Sequence, residues 1–318
     1  MRVCLVYYSQ TGNTKKIAEA ISKGIKEANG QCDLFSLKEV TPQVVNEYDL
    51  VGFGSPVWCG AEPPNVREFI LSIPNQKGKH AFVFCTHGVM PEHYFPVVTR
   101  RLRNRGFTVI GMKSSFGSVH FQIAPSPYYT EGHPDEEELE EAFIFGQQIV
   151  ERSKRINRGE TDLIPPIPPF VYTPQLWVLT EFYRWGHNPH GRISYDPNKC
   201  NYPKCRLCIE YCVMGYNDFS SEPRRFGSKG NECDMWLGCT FCEMICPTGA
   251  IYCDWEAFLE ESQGLLSIFE FNPLEEAAKR LVAEGKLKLH VNWDDIRWDR
   301  LYFMVHNKRP RFKIGGAK

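Results

Sequence analysis

An α/β fold is predicted for the first half of this 318-residue chain: a doubly wound open sheet of five parallel strands, with a smaller cysteine-rich unit behind it. Three observations predict it. Short apolar runs alternate with segments of helical periodicity up to about residue 158. A hydroxyl-rich loop at residues 9–14 sits at the first strand-to-helix turn. Eight cysteines gather between Cys200 and Cys246.

The run Val3-Cys4-Leu5-Val6-Tyr7-Tyr8 reads as a buried strand. Ile17, Ala18, Ile21, Ile25 and Ala28 then recur at helical spacing until Asn29-Gly30 stops the helix. The remaining strands are expected at 32–35, 50–53, 81–85 and 108–112, and helices at 64–72, 91–104 and 134–158. Ligands in such a sheet sit beyond the carboxyl ends of the strands, where the strand order reverses. The acidic run from Glu136 to Glu141 reads as a solvated helix start, with docking of a basic partner as its other use.

The loop after the first strand is Ser9-Gln10-Thr11-Gly12-Asn13-Thr14. It offers hydroxyls, a glycine and a run of backbone N–H groups, and it opens into a helix whose N-terminus favours an anion. It contains no Lys or Arg, so a phosphate there would be held by dipoles and hydroxyls. It lacks the Gly-Lys-Ser/Thr ending of a P-loop. A Ser/Thr-rich turn that merely caps the helix would use the same residues.

Residues 1–155 resemble the flavodoxin family, whose phosphate loop Ser/Thr-x-Thr-Gly-Asn-Thr is matched at every fixed position from Ser9 to Thr14. The resemblance implies FMN, with its phosphate on Ser9, Gln10, Thr11, Gly12, Asn13 and Thr14. It also implies two loops around the isoalloxazine ring. One follows the third strand at Ser55, Pro56, Val57, Trp58, Cys59 and Gly60, and the other follows the fourth at Thr86, His87 and Gly88. Trp58 offers a flat face to stack on a flavin and is otherwise a core or interface ring. Cys59 is either redox-active beside that ring or a packing cysteine. His87 either donates to a flavin carbonyl or N5, or is a solvated loop histidine.

The cysteines form two groups, Cys200, Cys205, Cys208, Cys212 and Cys233, Cys239, Cys242, Cys246, each ending in Cys-x2-Cys-x3-Cys. Four thiolates per group suit a pair of cubane iron–sulfur clusters. A zinc ribbon would use the two Cys-x2-Cys pairs and leave the other four cysteines without a role. Radical-SAM spacing puts the longer gap first, the reverse of this order. A disulfide framework belongs in an exported chain. Residues 193–255 resemble the bacterial two-cluster ferredoxins, small α+β domains. The resemblance implies one [4Fe–4S] cluster on Cys200, Cys205, Cys208 and Cys246, and the other on Cys233, Cys239, Cys242 and Cys212. The leading gaps are longer than is usual in that family, and Val213 stands where a proline often follows the fourth cysteine.

Thirteen cysteines with no visible targeting segment fit a reducing cytoplasm, and a formal net charge of −1 offers no field to attract nucleic acid. The apolar stretch from Phe170 to Trp185 is broken by Pro174, Glu181 and Arg184 and is too short and polar to span a bilayer. Pro165, Pro166, Pro168 and Pro169 read as a stiff linker. The expected organisation is 1–160 for the flavin domain, 161–192 for the linker and an aromatic packing segment, 193–256 for the cluster domain, and 257–318 for a C-terminal extension. That extension is expected to hold a helix at 273–286, with Leu274, Ala277, Leu281 and Val282 on one face. Its aromatic, basic tail reads as a structural strap or, alternatively, a docking tail.

The whole layout is similar to flavodoxin–ferredoxin fusions of the ferrodoxin type, found mostly in anaerobes. It implies an electron carrier that relays low-potential electrons between FMN and two [4Fe–4S] clusters, to or from a partner redox protein such as a ferredoxin or a reductase. Two other functions use the same parts: an FMN-dependent oxidoreductase fed through the clusters, and a redox or iron sensor. No Gly-x-Gly-x-x-Gly fingerprint follows a strand and no catalytic set stands out, so no catalytic residue is expected.

Overall fold

The computed structural model of the chain describes residues 1–58, 60–91, 93–170, 193–213, 215, 217, 219, 239–261 and 273–314. Cys59, Cys233, and all of the aromatic packing segment beyond Phe170 lie outside the described residues. The chain divides into two compact units. The first comprises Met1–Val119, Tyr129–Tyr172 and Leu281–His290, and the second His120–Tyr128, Thr173–Arg280 and the residues from Val291 onward.

In the first unit the apolar runs become β1 (Arg2–Tyr7), β2 (Gln31–Ser36), β3 (Leu50–Pro56), β4 (His80–His87) and β5 (Thr108–Phe116). They form one all-parallel sheet in the order β2-β1-β3-β4-β5. Val3, Cys4 and Leu5 of β1 are inaccessible because helices cover both faces. These helices are α1 (Asn13–Glu27), α2 (Pro64–Leu71), α3 (Tyr94–Asn104) and α4 (Glu136–Asn157). Three strands run further than their apolar signal. Ser55 of β3, Thr86 and His87 of β4, and Ser114 and Ser115 of β5 keep the ladder while carrying polar side chains. The carboxyl edge of the sheet is therefore polar, and hydrophobic periodicity stops short of it.

The core under α1 and α4 joins Leu5, Ile17, Ile21, Ile25, Phe82 and Ile149. The two helices meet at glycines: a Cβ on Gly24 would collide with the Phe143 carbonyl, and one on Gly146 with the Ile21 carbonyl. Helix α4 begins one residue past Pro134 and its neighbour because Asp135 caps it. The Asp135 carboxylate accepts from the Glu137 and Glu138 N–H groups, and Glu138 accepts from the Asp135 N–H at 2.6 Å. Of the acidic run, Glu138 is buried and not solvated, because its other carboxylate oxygen meets His133 Nδ1 at 2.7 Å. His133 Nε2 in turn meets the Lys288 carbonyl oxygen at 2.8 Å, and His290 Nε2 meets Asp135 at 2.7 Å.

The second unit pairs β6 (Ser194–Tyr195) antiparallel with β7 (Ile251–Tyr252) and carries the short helices α5 (Leu207–Glu210) and α6 (Phe241–Ile245). Its core joins Ile123, Trp255, Phe258, Leu301 and Phe303, and it also carries α7 (Trp255–Glu261). α8 (Pro273–Ala283) takes up the expected helix of the extension. Its buried positions are Ala277 and Ala278, whereas Val282 is exposed, so the expected face is turned by part of a step. Gly285, at φ 66°, ends that helix, with the Lys286 N–H returning to the Leu281 carbonyl. A last short helix, α9 (Tyr302–Val305), precedes the tail. Among the described residues no helix is long and apolar enough to cross a membrane.

Candidate functional site

Two sites emerge, one in each unit. In the first, the parallel order puts the loops after β1, β3 and β4 at the same edge of the sheet, beside the point where the order reverses between β1 and β3. The loop from Ser9 to Asn13 is half-buried. Gly12 stands at the N-cap of α1 with φ 98°, and its N–H reaches the Ser9 hydroxyl at 3.1 Å. No side chain caps α1, so the first-turn N–H groups of that helix are available to an anion placed in the loop. Asn13 Nδ2 donates to the Ser118 carbonyl at 2.9 Å, tying the loop to the segment after β5. The Thr14 hydroxyl is buried against that of Thr86 at 2.8 Å, so it links the Ser9–Thr14 loop to the end of β4.

In the loop after β3, Ser55 is fully buried and bonds the Tyr94 hydroxyl at 3.0 Å, which makes it a framework residue. The Val57 N–H donates to the Thr86 carbonyl at 2.8 Å. Trp58 exchanges backbone hydrogen bonds with Ala61 at 2.8 and 3.0 Å, closing a tight turn in which Gly60 adopts φ 81°. The Trp58 ring is half-buried and meets Tyr8 edge-on, with centroids 6.3 Å apart. His87 is buried rather than solvated, with its ring 5.0 Å from Phe116. Burial, with a smaller push from Lys113, lowers its pKa to about 3 despite the Gly88 backbone, so its ring is neutral at physiological pH.

In the second unit, Cys200, Cys205, Cys208 and Cys246 line one pocket, partly open to solvent. Tyr195, Leu207 and Ile251 complete an apolar wall. The β6–β7 pairing brings this about: the Asp196 N–H bonds the Ala250 carbonyl at 2.8 Å, which holds the chain entering Cys200 against the chain leaving Cys246. No disulfide involves these cysteines. Burial raises the Cys208 thiol to about 12, and Cys246, Cys200 and Cys205 add to the rise. Thiols crowded in that way resist ionisation unless a cation shares them, since a coordinating thiol is deprotonated outright. Of the second expected set, Cys239 packs against the Phe241, Met244 and Tyr302 core, and Cys242 lies against the Cys246, Ala250 and Ile251 core. The Cys212 N–H bonds the Ile209 carbonyl at the end of α5, and Cys233 is outside the described residues.

Residues 4–99 match the family model described as a flavodoxin domain. An uncharacterized protein of Methanocaldococcus jannaschii is 26% identical over 154 residues, 47% of this chain and 99% of that protein. A probable flavodoxin 2 of Bacillus subtilis is 27% identical over 161 residues, 48% of this chain and 96% of that protein. Among solved structures, a flavodoxin from the domain Archaea is 24% identical with a TM-score of 0.39, covering 48% of this chain and 99% of its own. The N-terminal half carries a flavodoxin domain.

Within the flavodoxin domain, the structure gathers all three expected loops at one edge. It adds two residues that sequence reasoning missed. Tyr8 sits against Trp58, and Ser118 holds Asn13. Tyr8 ends the first apolar run and could have been found by its place at the carboxyl end of a strand. Ser118 carries no such signal.

Proposed function

We propose that the chain is an electron-transfer flavo-iron–sulfur protein, in which a flavodoxin domain at about 1–160 holds FMN and a cluster domain at about 193–256 holds two [4Fe–4S] clusters. The observation that carries this reading is the convergence of Cys200, Cys205, Cys208 and Cys246 on one apolar-walled cavity, in a chain that also carries a flavodoxin domain. These are the four cysteines that the two-cluster ferredoxin pattern assigns to one cluster, and they come from both ends of the motif. FMN exchanges electrons one or two at a time and each cluster exchanges one.

The chain's own residues supply the rest. The uncapped N-terminus of α1 and the hydroxyls of Ser9 and Thr11 would hold the FMN phosphate without a lysine or arginine. Trp58 would cover the ring, and neutral His87 would lie behind it, contributing no charge of its own. A flavin whose phosphate loop supplies no countercharge is harder to reduce, which suits low-potential work with a partner redox protein in a reducing cytoplasm. Cys205 and Cys208, with two residues between them, would hold one cluster together with Cys200, and Cys246 would complete its four thiolates from the other group.

Anaerobic purification tests the reading. About eight irons and one FMN per chain, reduced stepwise by dithionite, are expected for two cubane clusters and a flavin. Cys208→Ser and Cys242→Ser should each remove one cluster and leave FMN in place. Full iron in both variants would overturn the ligand assignment.

A further inference from the structure

A buried carboxylate sits inside the second cysteine group. Glu243 follows Cys242 directly, at the middle of α6, and is wholly inaccessible. A carboxylate there needs partners, because an unpaired buried charge is strongly unfavourable. Its partners among the described residues come from distant parts of the second unit. Arg309 Nη2 at 2.5 Å and Arg311 Nε at 3.2 Å both reach Oε1, and the Gln122 amide donates to Oε2. Arg309 Nη1 also donates to the Glu243 carbonyl at 2.6 Å. The tail then closes over the helix. The Phe312 N–H donates to the Met244 carbonyl at 3.0 Å, and the Phe312 ring meets that of Phe241 at 5.8 Å. Arg311 Nη1 is itself fixed by the Phe303 and His306 carbonyls at 2.7 and 2.8 Å.

Helix α6 has five residues, too few to hold its shape alone. It carries Cys242 and delivers Cys246, the two thiolates that the two-cluster assignment sends to different clusters. We propose that the Arg309–Glu243–Arg311 clamp is the device that positions both thiolates, so that retention and potential of the clusters depend on a tail some sixty residues beyond the last ligand. This inference rests on the two-cluster reading. The arginines are positioning residues and not ligands. Two guanidinium groups against one carboxylate leave a net positive charge beside the cysteines, which favours the more negative, reduced form of a cluster. Each guanidinium also ties Oε1 to backbone carbonyls through separate N–H groups, which a point charge does not do.

The test uses the full chain, reconstituted without oxygen, as wild type and as Arg309→Met, Arg311→Met and Arg311→Lys. Iron and FMN per chain, the rate of iron loss to an iron(II) chelator, and the midpoint potentials of the electron paramagnetic resonance signals are measured. Arg311→Met should lose iron about 10–100-fold faster, as outer-shell changes at metal sites do, with FMN unchanged and potentials shifted down. Arg311→Lys should lose iron faster than wild type but keep its potentials, because it keeps the charge and loses the tie to the Phe303 and His306 carbonyls. It also decides the matter if the Met variants do not fold. Wild-type retention and potentials in the arginine variants would overturn the clamp alone. A wild-type chain that takes up no iron would overturn the two-cluster reading, and the clamp's role with it.

Discussion

His133 and His87 are buried histidines in one unit with opposite electrostatics. Burial lowers His133, but the Glu138 carboxylate, the Lys288 carbonyl and Asp135 outweigh it, and the net shift is upward. Both of its ring nitrogens face acceptors, which the doubly protonated ring satisfies. Its folded pKa thus lies above its unfolded one, so its contribution is complete below about pH 6.5 and is lost as pH rises through the raised value. His87 is the reverse: its contribution is present above about pH 6.5 and is lost as pH falls toward 3. Urea titrations across pH should show His133→Gln flattening the loss of stability on the alkaline side while leaving the acid limb in place. An unchanged alkaline limb would contradict the two-acceptor geometry. In the proposed FMN site, Trp58→Ala should weaken FMN binding about tenfold, near 1.4 kcal/mol, by fluorescence titration. Gly12 has open space around it, so Gly12→Ala carries only the conformational cost of φ 98°, about 1–3 kcal/mol. Gly12→Asn should cost less, since Asn tolerates left-handed backbone.

At the level of elements, α1 and α4 approach backbone to backbone through Gly24 and Gly146. The helix periodicity around Ile17, Ile21 and Ile25 announces which face of α1 is buried, but not that a second helix requires glycines against it. Gly146→Ala should lower stability by about 1–3 kcal/mol through overpacking against the Ile21 carbonyl, measured by urea denaturation. The strand extensions teach the complementary point. Ser55, Thr86, His87 and Ser115 belong to strands yet break the apolar pattern, because the carboxyl edge of a doubly wound sheet is where its loops meet a ligand. Periodicity therefore ends before the strand does at the edge that matters for function.

Across the whole molecule, the extension is divided between the units: Leu281–His290 joins the first and the residues from Val291 join the second. Lys288 and His290 bond the α4 start in the first, and Arg309 and Arg311 bond Glu243 in the second. A chain ending at residue 280 should therefore lose stability in both units. With the cofactors proposed above, thermal melting should fall for the flavin and cluster signals together, whereas a chain ending at residue 300 should spare the flavin signal. Equal flavin melting of all three chains would show that the 281–290 segment adds nothing to the first unit.

Much of this arrangement is written locally. Strand and helix identity, the Ser9–Thr14 loop and the doubled cysteine spacing depend on short-range periodicity and turn chemistry, which neighbouring residues encode by themselves. Other features join residues from distant parts of the chain. Cys246 reaches the Cys200 group because β6 pairs with β7, Tyr8 meets Trp58 because β1 lies beside β3, and Glu243 is neutralised by a tail that no local pattern links to it. Only the tertiary structure decides such partners, because a residue's burial follows from its own element while its neighbours follow from how elements cross.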